Sequence, residues 1–184
     1  MNEKFYSLNP TFKNKWFWGQ VDLDPFGKLY MKGMEGFKGV VKVEIDAGII
    51  AGDFLWNSHN LIVVSRKVIN IWKKFDTKFE IYEVKIVNKE LPEKYYGVAI
   101  TGRGGPLDKK KSRAKIKYGL KPNGKPSIMG IDGMYFFEDK WDGSDLFKLD
   151  EFPLGILVTE RVMEAMKKAN ITNCRYTPVE DVRF

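Results

Sequence analysis

Ile62-Val63-Val64-Ser65-Arg66-Lys67-Val68-Ile69-Asn70-Ile71-Trp72-Lys73-Lys74-Phe75-Asp76 returns, ninety-four residues later, as Ile156-Leu157-Val158-Thr159-Glu160-Arg161-Val162-Met163-Glu164-Ala165-Met166-Lys167-Lys168-Ala169-Asn170. All fifteen positions agree in apolar or polar class, and five are identical. Each copy reads as a short β-branched run, a hydroxyl residue and an amphipathic helix. Ser65 and Thr159 stand at the N-cap position, where a side-chain oxygen accepts from a free N–H of the first turn. Val68, Ile69, Ile71, Trp72 and Phe75 line one helical face, as do Val162, Met163, Ala165, Met166 and Ala169. The pattern predicts helices over 66–75 and 160–170, each leading into a further strand-like run, Phe79 to Val87 and Cys174 to Val179. Coincidence is the alternative, since any two β–turn–α units share such a pattern. Neither copy carries a catalytic residue set, so both read as framework.

With 184 residues, the chain suits one domain over 1–184, or two small lobes, 1–100 and 126–184, joined by a basic segment over 101–125. Apolar residues make up 43% and aromatics 14%, a balance that argues for a packed fold over a disordered chain. The opening residues, Met1 to Pro10, have no long apolar core, and no signal peptide is expected. No run approaches the roughly 18 apolar residues of a membrane helix. Cys174 is the only cysteine, which excludes a disulfide framework and a cysteine-rich zinc site. It reads as a small buried side chain in a strand. Together these features predict a cytoplasmic protein without a membrane partner.

The net charge of +7 is concentrated. Arg103, Lys109, Lys110, Lys111, Arg113, Lys115, Lys117, Lys121 and Lys125 face one acid, Asp108, within 103–125, so this segment holds the whole excess. Gly102, Gly104, Gly105 and Pro106 before it read as a hinge, and Pro122-Asn123-Gly124-Lys125-Pro126 as a turn. Lys115 and Lys117 alternate with Ile116 and Tyr118, as in one arm of a hairpin.

Elsewhere strands outnumber helices. Val41, Val43 and Ile45 alternate with Val40, Lys42 and Glu44, Tyr95 to Ile100 forms another strand-like run, and Met134 to Phe137 reads as a strand or a short buried run. The expected fold is α+β. It has a mixed or antiparallel sheet, two similar β–α–β units at about 61–87 and 155–180, and a basic projecting hairpin or loop.

Chemistry-bearing groups are sparse. His59, the only histidine, could join Asp53 with Ser58 or Ser65 in a triad, but no G-x-S-x-G elbow surrounds any serine. Asp142 and Asp145 lie near Glu138, Asp139, Asp150 and Glu151 without EF-hand spacing, and read as an exposed acidic loop or as turn acceptors. Gly102-x-Gly104-Gly105 lacks the lysine and hydroxyl of a P-loop. No catalytic, metal or cofactor residues are assigned. The basic segment is the candidate site, with Arg103, Lys109, Lys110, Lys111, Arg113, Lys115 and Lys117 as partner-binding residues. It suits phosphates or an acidic protein surface, and a solvated loop is the plainer alternative.

Trp141-Asp142-Gly143-Ser144-Asp145-Leu146-Phe147, then Ile156 to Val162, then Ile171-Thr172-Asn173-Cys174-Arg175-Tyr176-Thr177-Pro178-Val179, resemble the immunity proteins of bacterial polymorphic toxin systems, of the types numbered eleven and forty-three. The likeness covers about the last 45 residues well and Ile62 to Val84 loosely. It implies a protein that binds and neutralises a cognate toxin, and it transfers no catalytic residue. Three function classes compete: a non-enzymatic immunity protein acting by steric occlusion, a nucleic-acid-binding module using 103–125, and a small hydrolase or transferase built around His59 and the carboxylates.

Overall fold

The computed structural model describes residues 3–11, 15–21, 29, 32–118 and 127–184. Its twelve strands are β1 (Phe5–Pro10), β2 (Trp18–Val21), β3 (Val40–Ala47), β4 (Trp56–Asn57), β5 (Ile62–Ser65), β6 (Phe79–Ile86), β7 (Tyr95–Ile100), β8 (Lys115–Lys117), β9 (Ser127–Gly130), β10 (Leu146–Leu149), β11 (Phe152–Thr159) and β12 (Cys174–Pro178). Two helices, α1 (Arg66–Trp72) and α2 (Glu160–Lys168), follow β5 and β11. They lie where the repeat placed them and stop a few residues early. After α1 the backbone tightens, with Phe75 N–H donating to Trp72 C=O at 3.1 Å. After α2, Asn170 turns left-handed at φ 52°. Among the described residues no helix is long and apolar enough to cross a membrane. The expected α+β architecture is therefore present, with sheets dominating.

Both repeat copies are β–α–β units of one design, and each is split by an antiparallel strand that the sequence repeat does not contain. In the six-stranded sheet, ordered β4-β2-β3-β6-β7-β5, strand β7 lies between β5 and β6. In the four-stranded sheet, ordered β10-β11-β1-β12, strand β1 lies between β11 and β12. The registers agree residue by residue. Tyr95 and Tyr96 face Ser65 and Val64, while Phe5 and Tyr6 face Thr159 and Val158. On their other edges Tyr96 faces Glu83 and Tyr6 faces Pro178. The strand before each unit also corresponds, with Phe54 bridging Val64 and Leu146 pairing with Val158.

The units hold each other reciprocally. The hydroxyls at the helix starts are not caps of their own helices, for neither Ser65 nor Thr159 makes a side-chain cap hydrogen bond. Each instead donates to a buried aspartate, Ser65 Oγ to Asp53 at 2.8 Å and Thr159 Oγ1 to Asp145 at 2.6 Å. A buried carboxylate outcompetes a helix N–H for the hydroxyl proton because a charge-assisted bond is the stronger one. A basic residue in the first turn completes each cluster, Lys67 at 3.7 Å from Asp53 and Arg161 in contact with Asp145. Asp53 also accepts from Thr172 N–H beyond α2 at 2.9 Å, and Asp145 accepts from Asp76 N–H beyond α1 at 3.0 Å. Trp72 and Met166, which occupy one position of the repeat, meet at 3.3 Å between the helices. Such i-to-j and j-to-i exchange is the signature of a two-fold relation.

Burial explains the β-branched runs. Ile62 and Val64 face a central cluster under the helices, with Phe54, Trp72, Val98, Leu146, Val158 and Met166. Val63 faces a second cluster with Val41, Val43, Tyr82 and Tyr95. Leu157 faces a third, with Phe5, Phe136, Phe147 and Leu149. Strand β5 and the second half of β11 are thus buried on both faces, which calls for continuous apolar runs. Strand β3 is covered on one face only and alternates, with Val41 and Val43 inside and Val40, Lys42 and Glu44 outside.

Replacing Asp145 by Ala strands the buried Thr159 hydroxyl and removes the acceptor of Asp76 N–H and Arg161. A loss of about 3 kcal/mol is expected in urea unfolding, in a single transition. Asp53→Ala should show a loss of similar size. A change below about 0.5 kcal/mol would show that the units do not depend on these carboxylates.

Candidate functional site

The basic segment divides into two parts. Residues 103–114 lie against the body. Gly104 is packed between the side chains of Phe147 and Leu149, where an added Cβ would meet them at 2.6 and 2.7 Å, so this glycine is a close-packing position and not a hinge. Leu107 is buried, and its N–H donates to Glu151 at 2.9 Å. Asp108 accepts from the N–H groups of Lys110 and Lys111 at 3.1 and 3.0 Å, closing the turn over the three lysines. Ser112 is buried and bonds both backbone groups of Tyr135. Residues 115–117 and 127–130 form the antiparallel pair β8–β9, the hairpin arm expected from the alternation. The turn over 122–126, Lys121 and Lys125 lie outside the described residues.

Acids from the body reach three of the seven candidate cations, and a fourth lies over an aromatic face. Arg103 pairs with Glu35 at 2.6 Å, Lys109 with Glu151 at 3.7 Å and Arg113 with Asp132 at 2.9 Å. Lys111 lies over the Tyr135 ring at 4.3 Å. Lys110, Lys115 and Lys117 are exposed and have no such partner among the described residues. Three of the segment's described cations are therefore neutralised by acids of the body.

Glu35 is the residue that sequence reading missed. It joins Arg103 to Lys148, a buried lysine on β10 that also donates to Lys32 C=O at 3.1 Å. Burial raises the Glu35 carboxyl, but hydrogen bonds from Lys148 and Arg103 outweigh it and hold the group below its ordinary value. Burial likewise pulls the Lys148 ammonium below its ordinary value, against the attraction of Glu35. These side chains line a cleft of about 310 Å³ with Asp150 and Pro153. Arg103 and Lys148 are 68 and 113 positions from Glu35 along the chain, a separation that no local motif reports.

The remaining candidates are engaged locally. His59 Nδ1 lies 2.8 Å from Ser58 Oγ, while Asp53 and Ser65 belong to the unit-to-unit contact, so the triad imagined from their spacing is divided between two places. Asp142 accepts from Ser144 N–H and Oγ at 3.0 and 2.5 Å as a turn acceptor. Burial raises its carboxyl, but the Ser144 bonds and Lys78 hold it below its ordinary value. Asp145 is fully buried and not part of an exposed acidic loop. Cys174 is half-buried beside Tyr176, and burial pushes its thiol up to about 11, which keeps it protonated and unreactive at neutral pH. Met134 to Phe137 make a single bridge, Leu107 to Phe136, and form no strand; Met134 and Phe136 are buried in the third cluster while Phe137 is exposed.

Two split β–α–β units with a basic appendage define a toxin-immunity protein of α+β architecture once the family comparison is added. The chain belongs to the immunity protein family Imm11, whose family model matches residues 31–181. The match extends well beyond the C-terminal stretch and includes the basic segment. No curated protein matches the chain.

Glu35→Ala removes the carboxylate that neutralises a buried ammonium and should cost about 3 kcal/mol, more than Lys148→Met. Because the Glu35 carboxyl titrates lower in the folded chain than in the unfolded one, its contribution is complete above about pH 4.3 and is lost as pH falls through the folded value. Acid unfolding of Glu35→Gln should lack that part of the wild-type slope.

Proposed function

We propose that the protein acts in the cytoplasm as a non-catalytic inhibitor that binds one cognate toxin and occludes its working surface. The family match over residues 31–181 is the observation that carries this reading. Of the basic-segment residues Arg103, Lys109, Lys110, Lys111, Arg113, Lys115 and Lys117, the ones with charge to offer a partner are Lys110, Lys115 and Lys117. The others are engaged by Glu35, Glu151, Asp132 and Tyr135. Among the described residues of the segment, three cations without an ion-pair partner stand beside one exposed aromatic, Tyr118, which favours steering of an acidic protein over tracking of a nucleic-acid backbone with its need for more stacking rings.

The test is neutralisation and binding of the toxin domain encoded beside this protein. Lys110→Ser, Lys115→Ser and Lys117→Ser combined should slow association roughly 3- to 10-fold at low salt and flatten its salt dependence, with folding stability unchanged. His59→Ala should neutralise like wild type. Equal association rates for the triple variant and wild type at low salt would remove the basic segment from the interface. A hydrolytic activity lost in His59→Ala would overturn the non-catalytic reading.

A further inference from the structure

An apolar cleft of about 520 Å³ opens between the C-terminal end of β1 and the first half of β11. Leu8, Trp56, Met134, Phe152, Ile156 and Phe184 are among its walls. The carboxylate in its lining, Glu151, is taken up by Leu107 N–H and Lys109, so the cavity offers apolar contact more than charge. Its volume is that of a pocket able to seat a large side chain or a small molecule.

One wall of this cleft is also the edge of the cationic hairpin. The Phe184 ring is 60% exposed and stands edge-on to Phe152 at 5.7 Å. Its carbonyl accepts from Ile131 N–H at 3.0 Å, which extends the line of β9. Gly130 makes the junction, for a Cβ there would lie 2.7 Å from the Phe184 carbonyl and 3.7 Å from the Lys115 side chain. The Phe184 backbone and the Lys115 stem thus both approach the bare face of Gly130. Met129 next to it is 55% exposed, and Tyr118 beyond Lys117 is 71% exposed. Phe184 exposed at the cleft, and Met129 and Tyr118 exposed on and next to the adjoining strand pair with Lys115 and Lys117 unpaired among the described residues, have the composition of an interface with an apolar centre and a charged rim.

We propose that this cleft and the adjoining hairpin face form one docking surface for the toxin, resting on the immunity reading above. An apolar side chain of the toxin seats in the cleft against Phe184, and carboxylates flanking it meet Lys115 and Lys117. The occupant's chemistry follows from the surface: an apolar anchor for an uncharged cavity, acids for the unpaired ammonium groups. The anchor governs residence time and the lysines govern encounter, since buried aromatic contacts act on dissociation and rim charges on association.

The experiment measures binding of full-length protein to the purified toxin domain encoded beside it, together with host protection and the protein's size in solution. Phe184→Ser and, separately, Met129→Ser should dissociate at least 10-fold faster, while Phe184→Leu stays near wild type and Ile81→Ser, on an exposed sheet face away from the cleft, matches it. All four should melt like wild type. If wild type binds and protects but both Phe184→Ser and Met129→Ser dissociate at its rate, the docking surface lies elsewhere and the immunity reading stands. If wild type neither binds nor protects, both readings fall. A self-dimer that Phe184→Ser dissolves would assign the surface to a second copy of this chain and overturn the proposal.

Discussion

A buried carboxylate is tolerable only when it is fully hydrogen-bonded, and this chain places two of them where its halves meet. Asp53 and Asp145 each take a hydroxyl proton from the residue that opens their own unit's helix, and a backbone N–H from beyond the other unit's helix. Each therefore ties strand, helix start and the opposite unit at one point. Removing either unit would take from the other's aspartate the donor that spans the two units, and a buried carboxylate short of a hydrogen bond is costly. The helices that cover the central cluster are held in place by the same bonds. The two sheets, and with them the cleft and the basic segment, take their positions from that arrangement.

Charge in the basic segment is governed by the same requirement. A body that is close to neutral overall still contributes Glu35, Glu151 and Asp132 at the places where Arg103, Lys109 and Arg113 arrive. Part of the positive charge consequently secures the segment to the surface beneath it, while the lysines of the hairpin remain available to solvent or to a partner. A single stretch of sequence thus has a packed half and a presented half. The division falls where Ser112 and Leu107 stop being buried and the alternation of β8 begins.

Much of the framework was legible. The binary pattern located both helices, β5 and β11 appeared as apolar runs, and β3 appeared as an alternating strand, because periodicity and burial are linked locally. The hydroxyls before the helices were visible but misread as caps. Their true acceptors, Asp53 and Asp145, lie 12 and 14 positions upstream and become available only when the chain folds back. The family resemblance was legible at the C-terminus, where Asp145 and Thr159 are part of the pattern, and the family match proves to cover far more of the chain.

By itself, then, the sequence determined element type, the duplicated β–α pattern and the concentration of positive charge, since each is a property of neighbouring residues. Only the tertiary structure decided that β1 and β7 are the equivalent central strands, for nothing in Phe5-Tyr6-Ser7-Leu8 or Tyr95-Tyr96-Gly97-Val98 repeats closely enough to announce it. It also decided which cations are neutralised and that Phe184 comes to lie against Ile131 and Phe152. Pairing of distant strands and ions depends on three-dimensional proximity, which hydrophobic burial of the whole chain creates and which local residue chemistry does not encode.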